Sequence, residues 1–523
     1  MKRPFLVHPF LFGMFPILSL FLHNINEAPL SIILVPTVIV IGFTILLLYL
    51  SKRIFRNRIK AGIVASIFLI LFFIYGSFSQ LTKLSTGKPA DWYLMPVFFL
   101  LLIIISYIVK KICTPLLAVT KIFNFLATFL ILFLLINIGA YKLKTLDNFL
   151  DYRNTKKTQA VMEYSKTTNT LPDIYYIILD RYANESILRK IYNFDNSYFI
   201  NQLSKRGFYV AAQSNSNYLK TAHSLASSLN MKYINYLKDK IKGPSDNYLP
   251  IQKMLQDYKV WRFLKSQGYQ FIHFGSWWPP DSKNKFADRN VNLDFPSEDF
   301  INILYRSSFL YPILKTLGYP QNFRQWKRVI YKFDKLSEIP NIKEPTFVFA
   351  HMLIPHPPYV FDRYGNFLSE EIVAKRRNKE NYIGQLIFTN KKVINLIDKL
   401  ISNSEVFPII VLQADEGPFP KRYNIKGRHF NWKKASKMEL KQKMGILNAY
   451  YLPNLDKNVL YPSITPVNSF RIIFNHYFNT HFELLPDKCY AFVDGRHPYS
   501  FFDITDLINS ECSSKATISK AKS

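Results

Sequence analysis

Two apolar runs in the sequence end on carboxylates that could hold a metal ion. The run Ile409–Leu412 is followed by the adjacent acids Asp415 and Glu416, and the run at 174–179 is followed by Asp180. Carboxylate oxygens are the preferred ligands of hard divalent cations. Ligands of open α/β sheets bind beyond the carboxyl ends of strands, so we predict that Asp180, Asp415 and Glu416 ligate a metal ion. For Asp415 and Glu416 the alternative is that they cap the next helix.

Thr221 is the candidate nucleophile. It opens the segment TAHSLASSLN, which has the composition of a helix start. The unpaired N–H groups and the dipole at a helix N-terminus favour negative charge. A threonine oxygen that lies in this field and binds a divalent cation becomes reactive towards a phosphoryl or sulfuryl group. Thr221 is therefore predicted as both nucleophile and metal ligand, although the spacing by itself favours an ordinary N-cap.

Three further side chains are predicted to contact substrate. His351 and His356 lie in HMLIPHPPY, where a histidine can donate a hydrogen bond to a phosphate oxygen or protonate a leaving group. We assign the catalytic role to His356 and substrate binding to His351, with structural roles in a Pro-rich turn as the alternative. Arg181 is predicted to pair a substrate oxyanion or to neutralise the acids. The basic segment 421–443 is either a solvated loop or a guide for anionic substrate or lipid head groups.

The elements that position these residues alternate between strand-like and helix-like patterns over residues 171–523. This alternation predicts a mixed, largely parallel sheet with helices on both faces. Predicted helices are Ser224–Leu237, Tyr382–Ile401 and Val467–Phe474. The predicted strands are Ile174–Leu179, Gly207–Ala212, Gly268–Gly275, Thr346–Ala350, Ile409–Leu412 and Ile446–Leu452.

The first 141 residues are apolar enough to predict five membrane helices, since a span needs about 20 apolar residues. The first run is the shortest, and we interpret it as a retained helix rather than a signal peptide. Residues 142–170 are predicted as a polar connector. The five runs are Pro9–Leu22, Leu30–Leu50, Gly62–Phe78, Tyr93–Val109 and Ile122–Tyr141.

Basic residues predict the orientation of these helices. Lys2 and Arg3 precede the first run, and the loop 51–60 holds five Lys or Arg, whereas the loop 23–29 holds none. Because basic loops stay in the cytoplasm, the domain after Tyr141 is predicted to face outward. The net charge of +31 favours anionic partners, and the outward orientation argues against nucleic acid. No CxxC spacing occurs, and pairing of Cys489 with Cys512 stays open.

With these residues in place, the chain resembles the sulfatase-like branch of the alkaline phosphatase superfamily. The resemblance implies that family's α/β fold. The matching segments occur in the family's order: PDIYYIILDRYA (172–183), NYLKTAHSLASSLNM (217–231), FVFAHMLIPHPPY (347–359) and IIVLQADEGP (409–418).

Five membrane helices before such a domain look like the lipoteichoic acid synthases and the lipid A phosphoethanolamine transferases. The resemblance implies that a threonine, here Thr221, takes a phosphoglycerol or phosphoethanolamine group from a membrane phospholipid. The threonine then passes the group to an envelope glycan or glycolipid, assisted by manganese or zinc. The implied location is the bacterial cytoplasmic (inner) membrane, with the catalytic domain outside the cytoplasm.

Two departures from the family pattern affect this interpretation. The Cys/Ser-x-Pro-x-Arg segment of true sulfatases is absent, so the resemblance concerns the fold rather than a sulfate ester substrate. Glu416 stands where the family usually has histidine, and an all-oxygen site favours Mn²⁺, with Mg²⁺ or Zn²⁺ as alternatives. A hydrolase of the same fold and an inactive envelope scaffold are the competing hypotheses.

Overall fold

The computed structural model describes residues 5–25, 30–86, 91–114, 116–154, 171–241, 245–293, 298–316 and 322–509. The chain divides into two compact units. The first consists of Met1–Val161, Trp277–Pro279 and Asp294–Gln321, and the second of Met162–Ser276, Pro280–Leu293 and Asn322–Ser523. The predicted boundaries at residues 141 and 171 stay predictions.

Helices and strands are numbered here in chain order. The α-helices are α1 His8–His23, α2 Leu34–Phe55, α3 Arg58–Thr86, α4 Asp91–Lys111, α5 Leu117–Asn154, α6 Glu185–Tyr192, α7 Ser197–Lys205, α8 Thr221–Asn230, α9 Leu237–Lys240, α10 Leu249–Met254, α11 Lys259–Ser266, α12 Glu298–Ser307, α13 Leu310–Thr316, α14 Phe323–Leu336, α15 Glu370–Lys375, α16 Asn378–Asn403, α17 Lys421–Lys426, α18 Lys437–Met444, α19 Pro466–Tyr477 and α20 Thr505–Asn509. The strands are β1 Ile174–Leu179, β2 Tyr209–Val210, β3 Gln270–Phe274, β4 Arg289–Val291, β5 Thr346–Met352, β6 Ile409–Gln413, β7 Asn448–Tyr451, β8 Tyr490–Phe492 and β9 Phe501–Asp503.

The first unit contains α1 to α5. Among the described residues, four helices are long and apolar enough to cross a membrane: Leu30–Phe55, Arg58–Thr82, Asp91–Lys111 and Leu117–Leu143. Four of the five predicted spans are therefore confirmed as such helices. The first predicted span forms α1, which has only 16 residues, so its crossing of a membrane stays a prediction.

Helices α12 and α13 also belong to the first unit, which the sequence did not predict. The side chains of Phe300 and Leu304 join a buried cluster with residues of α1, and the Phe309 N–H donates to the carbonyl of Phe72 in α3 at 2.8 Å. A Cβ on Gly76 would lie 2.4 Å from the Cα of Ser307, so only glycine permits this approach. Two helices from far along the chain thus pack on the apolar helices of the N-terminus.

The second unit is built on a seven-stranded sheet of order β2-β7-β6-β1-β5-β3-β4. Strands β6, β1, β5, β3 and β4 are parallel. At one edge β7 pairs antiparallel with β6, and β2 pairs antiparallel with β7, so β2 again runs in the direction of β6. The predicted mixed, largely parallel sheet is confirmed. A separate hairpin, β8 with β9, was not predicted.

Both faces of the sheet are covered by helices. Alternate side chains of a strand point to opposite faces, so each strand contributes side chains to both layers. On one face, Tyr175, Ile177 and Leu179 of β1 join a large cluster with residues of α14 and α16. On the other face, the ring of Tyr176 packs against Phe470 of α19, and its hydroxyl donates to Ser228 of α8. This two-sided burial explains why β1 consists entirely of apolar and aromatic residues.

Most predicted elements are confirmed with small differences in length. Strand β1 has the predicted bounds, whereas β5 continues two residues beyond the predicted end at Ala350. The predicted helix Ser224–Leu237 is wrong at its end: α8 stops at Asn230 because Met231 takes a left-handed conformation with φ of 53°.

The predicted connector falls partly on described residues. Helix α5 continues through its first part to Asn154, and residues 155–170 lie outside the described part of the chain. Cys489 is buried, and Cys512 lies outside the described residues, so their pairing is not tested.

Candidate active site

Three neighbouring parallel strands bring the predicted acids together. Asp180 directly follows β1, and Asp415 lies two residues beyond the end of β6. His351 is the penultimate residue of β5 and pairs in register with Ile178 of β1. Because the carboxyl ends of parallel strands meet at one edge, Asp180, His351 and Asp415 converge there.

Asp180, His351 and Asp415 form a group of described residues that could hold a metal ion, since one ligand atom from each lies within 4.8 Å of the others. Both oxygens of Asp415, Oδ1 of Asp180 and Nε2 of His351 are buried without a hydrogen-bond partner. The distance between His351 Nε2 and Asp180 Oδ2 is 3.4 Å, too long for a strong hydrogen bond. Buried donors and acceptors are seldom left unpaired, so these atoms fit the ligand set of a divalent cation.

The ring of His351 is oriented by a residue that the sequence did not reveal. His351 Nδ1 lies 2.6 Å from Asp281 Oδ2, and both side chains are buried. Lys332 donates to the carbonyl oxygen of His351 and, at 2.8 Å, to that of Gly275. A carboxylate on one imidazole nitrogen fixes the ring so that the other nitrogen faces a metal ion.

The charges of this group influence one another. Burial, together with Asp180 and Glu416, raises the pKa of the Asp415 carboxyl well above its ordinary value. Burial disfavours the charged form of His351, but the carboxylates of Asp281 and Asp180 outweigh it and raise the pKa of the imidazole to about 10. The site thus concentrates negative charge that a divalent cation would neutralise.

Thr221 lies beside Asp415 at the beginning of α8. Its hydroxyl is close enough to lower the pKa of the Asp415 carboxyl, although no hydrogen bond of normal geometry joins the two side chains. Thr221 is the first helical residue, and Lys220, in an extended conformation, occupies the N-cap position without a side-chain cap. The alternative role of Thr221 as an N-cap is therefore not the way in which this helix begins.

Glu416 contacts two cations of the chain. Its Oε1 accepts from Lys443 Nζ at 2.8 Å and from Arg181 Nε at 3.0 Å. The Lys443 side chain is fully buried, and burial lowers the pKa of its ammonium to about 7 although Glu416 opposes that shift. Of the two roles predicted for Arg181, this contact is the neutralisation of an acid. Glu416 is not part of the group Asp180, His351 and Asp415 that could hold a metal.

Gly417 permits the approach that forms this pair. Its N–H donates to the carbonyl of Lys443 at 2.8 Å, and Lys443 Nζ donates to the carbonyl of Gly417 at 2.9 Å. A Cβ at position 417 would lie 2.3 Å from the carbonyl oxygen of Gln442. Any larger residue would push the end of α18 away from Glu416.

We expect Glu416→Gln to destabilise the protein more than it weakens metal binding. The substitution leaves Lys443 buried beside a neutral side chain, and removing one partner of a buried ion pair costs about 3–5 kcal/mol. Chemical denaturation of the full chain in detergent measures this loss, and the double variant with Lys443→Met should recover a large part of it.

The matched control is Glu338→Gln, which breaks the exposed pair with Lys335 and should cost less than about 1 kcal/mol. A metal affinity reduced by about 100-fold in Glu416→Gln, with unchanged stability, would instead make Glu416 a ligand as the sequence predicted.

His356 faces the same acids from the loop after β5. Its Nε2 lies 4.0 Å from Asp180 Oδ2, and its Nδ1 contacts the carbonyl oxygen of Pro357. Burial, aided by Arg181, lowers the pKa of the imidazole to about 4, so the ring is neutral at pH 7. In a neutral ring whose Nδ1–H meets a carbonyl, Nε2 carries the lone pair and can accept a proton.

The basic segment 421–443 is ordered rather than a simple solvated loop. Helices α17 and α18 lie within it, and Tyr423, Phe430 and Trp432 are buried in one cluster. Most of its basic side chains are exposed, whereas Lys443 is buried in the site. No signal in the sequence distinguishes Lys443 from its basic neighbours. Asp281 ends the 3-10 helix Pro279–Asp281, which is too short to show a periodic spacing.

Comparison with known proteins gives one family match. The family model described as Sulfatase matches residues 146–441, which is more than half of the chain. A comparison with curated protein sequences finds no match.

Several solved structures are similar to the chain at low identity. The C-terminal periplasmic domain of EcEptC from Escherichia coli is 9% identical, with a TM-score of 0.44, and the match covers 66% of this chain and 96% of that one. The integral membrane protein lipooligosaccharide phosphoethanolamine transferase A (EptA) from Neisseria meningitidis is 10% identical, with a TM-score of 0.37, and the match covers 90% of this chain and 95% of that one. The lipoteichoic acid synthase LtaP from Listeria monocytogenes is 12% identical, with a TM-score of 0.39, and the match covers 65% of this chain and 84% of that one. All three TM-scores are below 0.5, so the family assignment depends on the match to the Sulfatase family model alone.

Proposed function

Because the chain belongs to the sulfatase family, we propose that it is a membrane-anchored, metal-dependent phosphotransferase. It moves the head group of a membrane phospholipid to an envelope glycan or glycolipid through a covalent intermediate on Thr221. The proposed location is the bacterial cytoplasmic membrane, with the catalytic domain outside. Four long apolar helices support the membrane anchor, and the basic loops of the sequence support the orientation.

The observation that carries this proposal is the position of Thr221. Its hydroxyl lies at the start of α8 and against Asp415, whose oxygens, with atoms of Asp180 and His351, are buried and unpaired. A hydroxyl in such surroundings can act as a nucleophile, because negative charge on its oxygen is stabilised by the helix N-terminus and by a neighbouring cation.

The residues that would hold the ion are Asp180, His351 and Asp415, with Thr221 beside them. When bound, the ion would lower the pKa of the threonine hydroxyl and polarise the phosphoryl oxygen. Carboxylates suit Mn²⁺, and the imidazole of His351 adds a nitrogen donor that suits Zn²⁺. We therefore propose Mn²⁺ or Zn²⁺ and give less weight to Mg²⁺, because the donor set is not all oxygen.

The transfer takes two displacements. In the first, Thr221 Oγ loses its proton and forms a bond to the phosphorus, the bond from phosphorus to the diacylglycerol oxygen breaks, and that oxygen takes up a proton. In the second, an acceptor hydroxyl attacks the phosphorus, loses its proton, and releases Thr221 as a hydroxyl. His356, whose Nε2 can accept a proton beside Asp180, is the proposed carrier of these protons.

The test uses the full chain in vesicles that contain phosphatidylglycerol and phosphatidylethanolamine, with Mn²⁺ or Zn²⁺ added. We expect release of diacylglycerol and an increase in the intact mass of the protein that maps to Thr221. An envelope glycan added afterwards should remove the mass increase and gain the head group.

Other outcomes favour the competing hypotheses. If free head group is the product whether or not glycan is present, the protein is a hydrolase of the same fold. If neither lipid yields diacylglycerol or a mass increase with either metal, the transferase proposal is wrong and the scaffold hypothesis takes its place.

A further inference from the structure

Three cations of the chain surround one aromatic ring next to the proposed nucleophile. We infer that this cation cluster, which consists of Arg181, Lys220 and Lys443 around Phe419, selects a phosphoryl head group without an ammonium, of the glycerol phosphate type. This inference rests on the proposed function, because it names the class of donor that the same site accepts.

The geometry of the cluster is compact. The Arg181 guanidinium carbon lies 4.4 Å from the centre of the Phe419 ring, and the ammonium nitrogens of Lys220 and Lys443 lie 5.1 Å and 3.4 Å from it. Tyr423 stacks on Phe419 with 4.0 Å between ring centres, and its hydroxyl accepts from Lys220 Nζ at 2.8 Å. Lys220 directly precedes Thr221, so the cluster adjoins the reacting hydroxyl.

Two of the three cations retain donors for a ligand. Lys443 is occupied by Glu416 and by the carbonyl of Gly417. Arg181 uses Nε for Glu416, and its two Nη atoms make no hydrogen bond to any residue that the structure describes. Lys220 donates only to a neutral hydroxyl within that part of the chain. The Arg181 side chain is 21% exposed, so a ligand can reach part of it.

The acids of the site do not fully neutralise the positive charge of Arg181 and Lys220. Glu416 is shared between Lys443 and Arg181. Asp180 Oδ1 lies 4.0 Å from Arg181 Nε, but Asp180 and Asp415 are also the acids of the proposed metal position. An anionic group beside Thr221 would therefore be attracted, and an ammonium in the same place would be repelled.

The aromatic rings do not offer a place for an ammonium either. Binding of an ammonium by aromatic side chains requires a free ring face. Here all three members of the cation cluster contact the Phe419 ring. The Lys220 ammonium nitrogen also lies 5.3 Å from the centre of the Tyr423 ring. A head group with hydroxyls instead can accept from Arg181 and Lys220.

Binding of two small probes tests the inference directly. Calorimetric titration of the full chain in detergent with Mn²⁺ present would compare glycerol 1-phosphate with O-phosphoethanolamine. We expect glycerol 1-phosphate to bind at least about tenfold more tightly. In Lys220→Met, its affinity should fall by about tenfold and the preference should shrink to less than about threefold.

The matched control is Lys232→Met. The Lys232 ammonium lies 4.5 Å from the centre of the Tyr236 ring, a similar contact just beyond the other end of α8. This variant should keep both affinities. Equal or tighter binding of O-phosphoethanolamine, binding of neither probe, or an unchanged preference in Lys220→Met would each overturn the inference.

The failure of this inference can be distinguished from failure of the proposed function. Diacylglycerol release from both phospholipids at similar rates would support the transferase and overturn the selectivity. A preference for glycerol 1-phosphate without diacylglycerol release from either lipid would support the anion site and refute the transferase.

Discussion

Replacement of Thr221 by alanine should abolish turnover of phospholipid, with a loss of about 10³-fold or more, because the attacking oxygen is removed. The mass increase of the intact protein should disappear at the same time. Thr221→Ser keeps a hydroxyl at the start of α8 and should retain a measurable fraction of the activity. Diacylglycerol release from vesicles, followed over time, measures all three proteins.

Ser227→Ala is the matched control for this substitution. Ser227 lies in the same helix, and its hydroxyl donates to the carbonyl of Lys232, away from the acids. Its removal should change turnover by less than about threefold, since a neutral hydrogen bond at the helix end contributes about 1 kcal/mol to stability and nothing to the reaction. Retention of a tenth of the wild-type rate in Thr221→Ala would exclude a threonine intermediate, by the same comparison of rates.

Asp415→Asn should affect the stability of the metal-free protein and of the metal-bound protein differently. Without added metal, the variant should be at least as stable as the wild type, because burial, Asp180 and Glu416 disfavour a charge on Asp415. With Mn²⁺ at 100 times its dissociation constant, the wild type should gain about 2.7 kcal/mol and the variant much less. Thermal unfolding in detergent, with chelator and with Mn²⁺, measures this crossover.

An exposed acid provides the control for Asp415→Asn. Asp334 lies 3.9 Å from Lys392 on the surface, and Asp334→Asn should leave the gain from Mn²⁺ unchanged. If Asp415→Asn gained as much stability from Mn²⁺ as the wild type, Asp415 would not be a ligand.

The sequence predicted the central part of the sheet well because buried parallel strands are continuous apolar runs. Ile174–Leu179 was found with its bounds, and Asp180 and Asp415 were found because each such run is followed by an acid. A buried strand and its polar end are local signals, so neither depends on contacts with distant residues.

The rest of the site depends on contacts between distant residues. Asp281 contacts His351, and Lys443 contacts Glu416. No periodic pattern in the sequence relates the two segments that make either contact. The sequence prediction ended β5 at Ala350, so it placed His351 just after the strand and assigned it to substrate binding. In the structure the strand continues to Met352, so His351 lies in register with Ile178 and faces Asp180. Two residues of strand length thus change the role proposed for this histidine.

The packing of α12 and α13 on the N-terminal helices has a consequence for release of the enzyme from its membrane. A protease that cut once between the last N-terminal helix and β1 would not liberate a water-soluble fragment, because Phe300, Leu304 and Phe309 would still be packed against the apolar helices. Release of the fragment would require those contacts to break and would expose apolar side chains to water. Under the proposed function, the reaction would thereby stay at the membrane surface that holds the lipid donor.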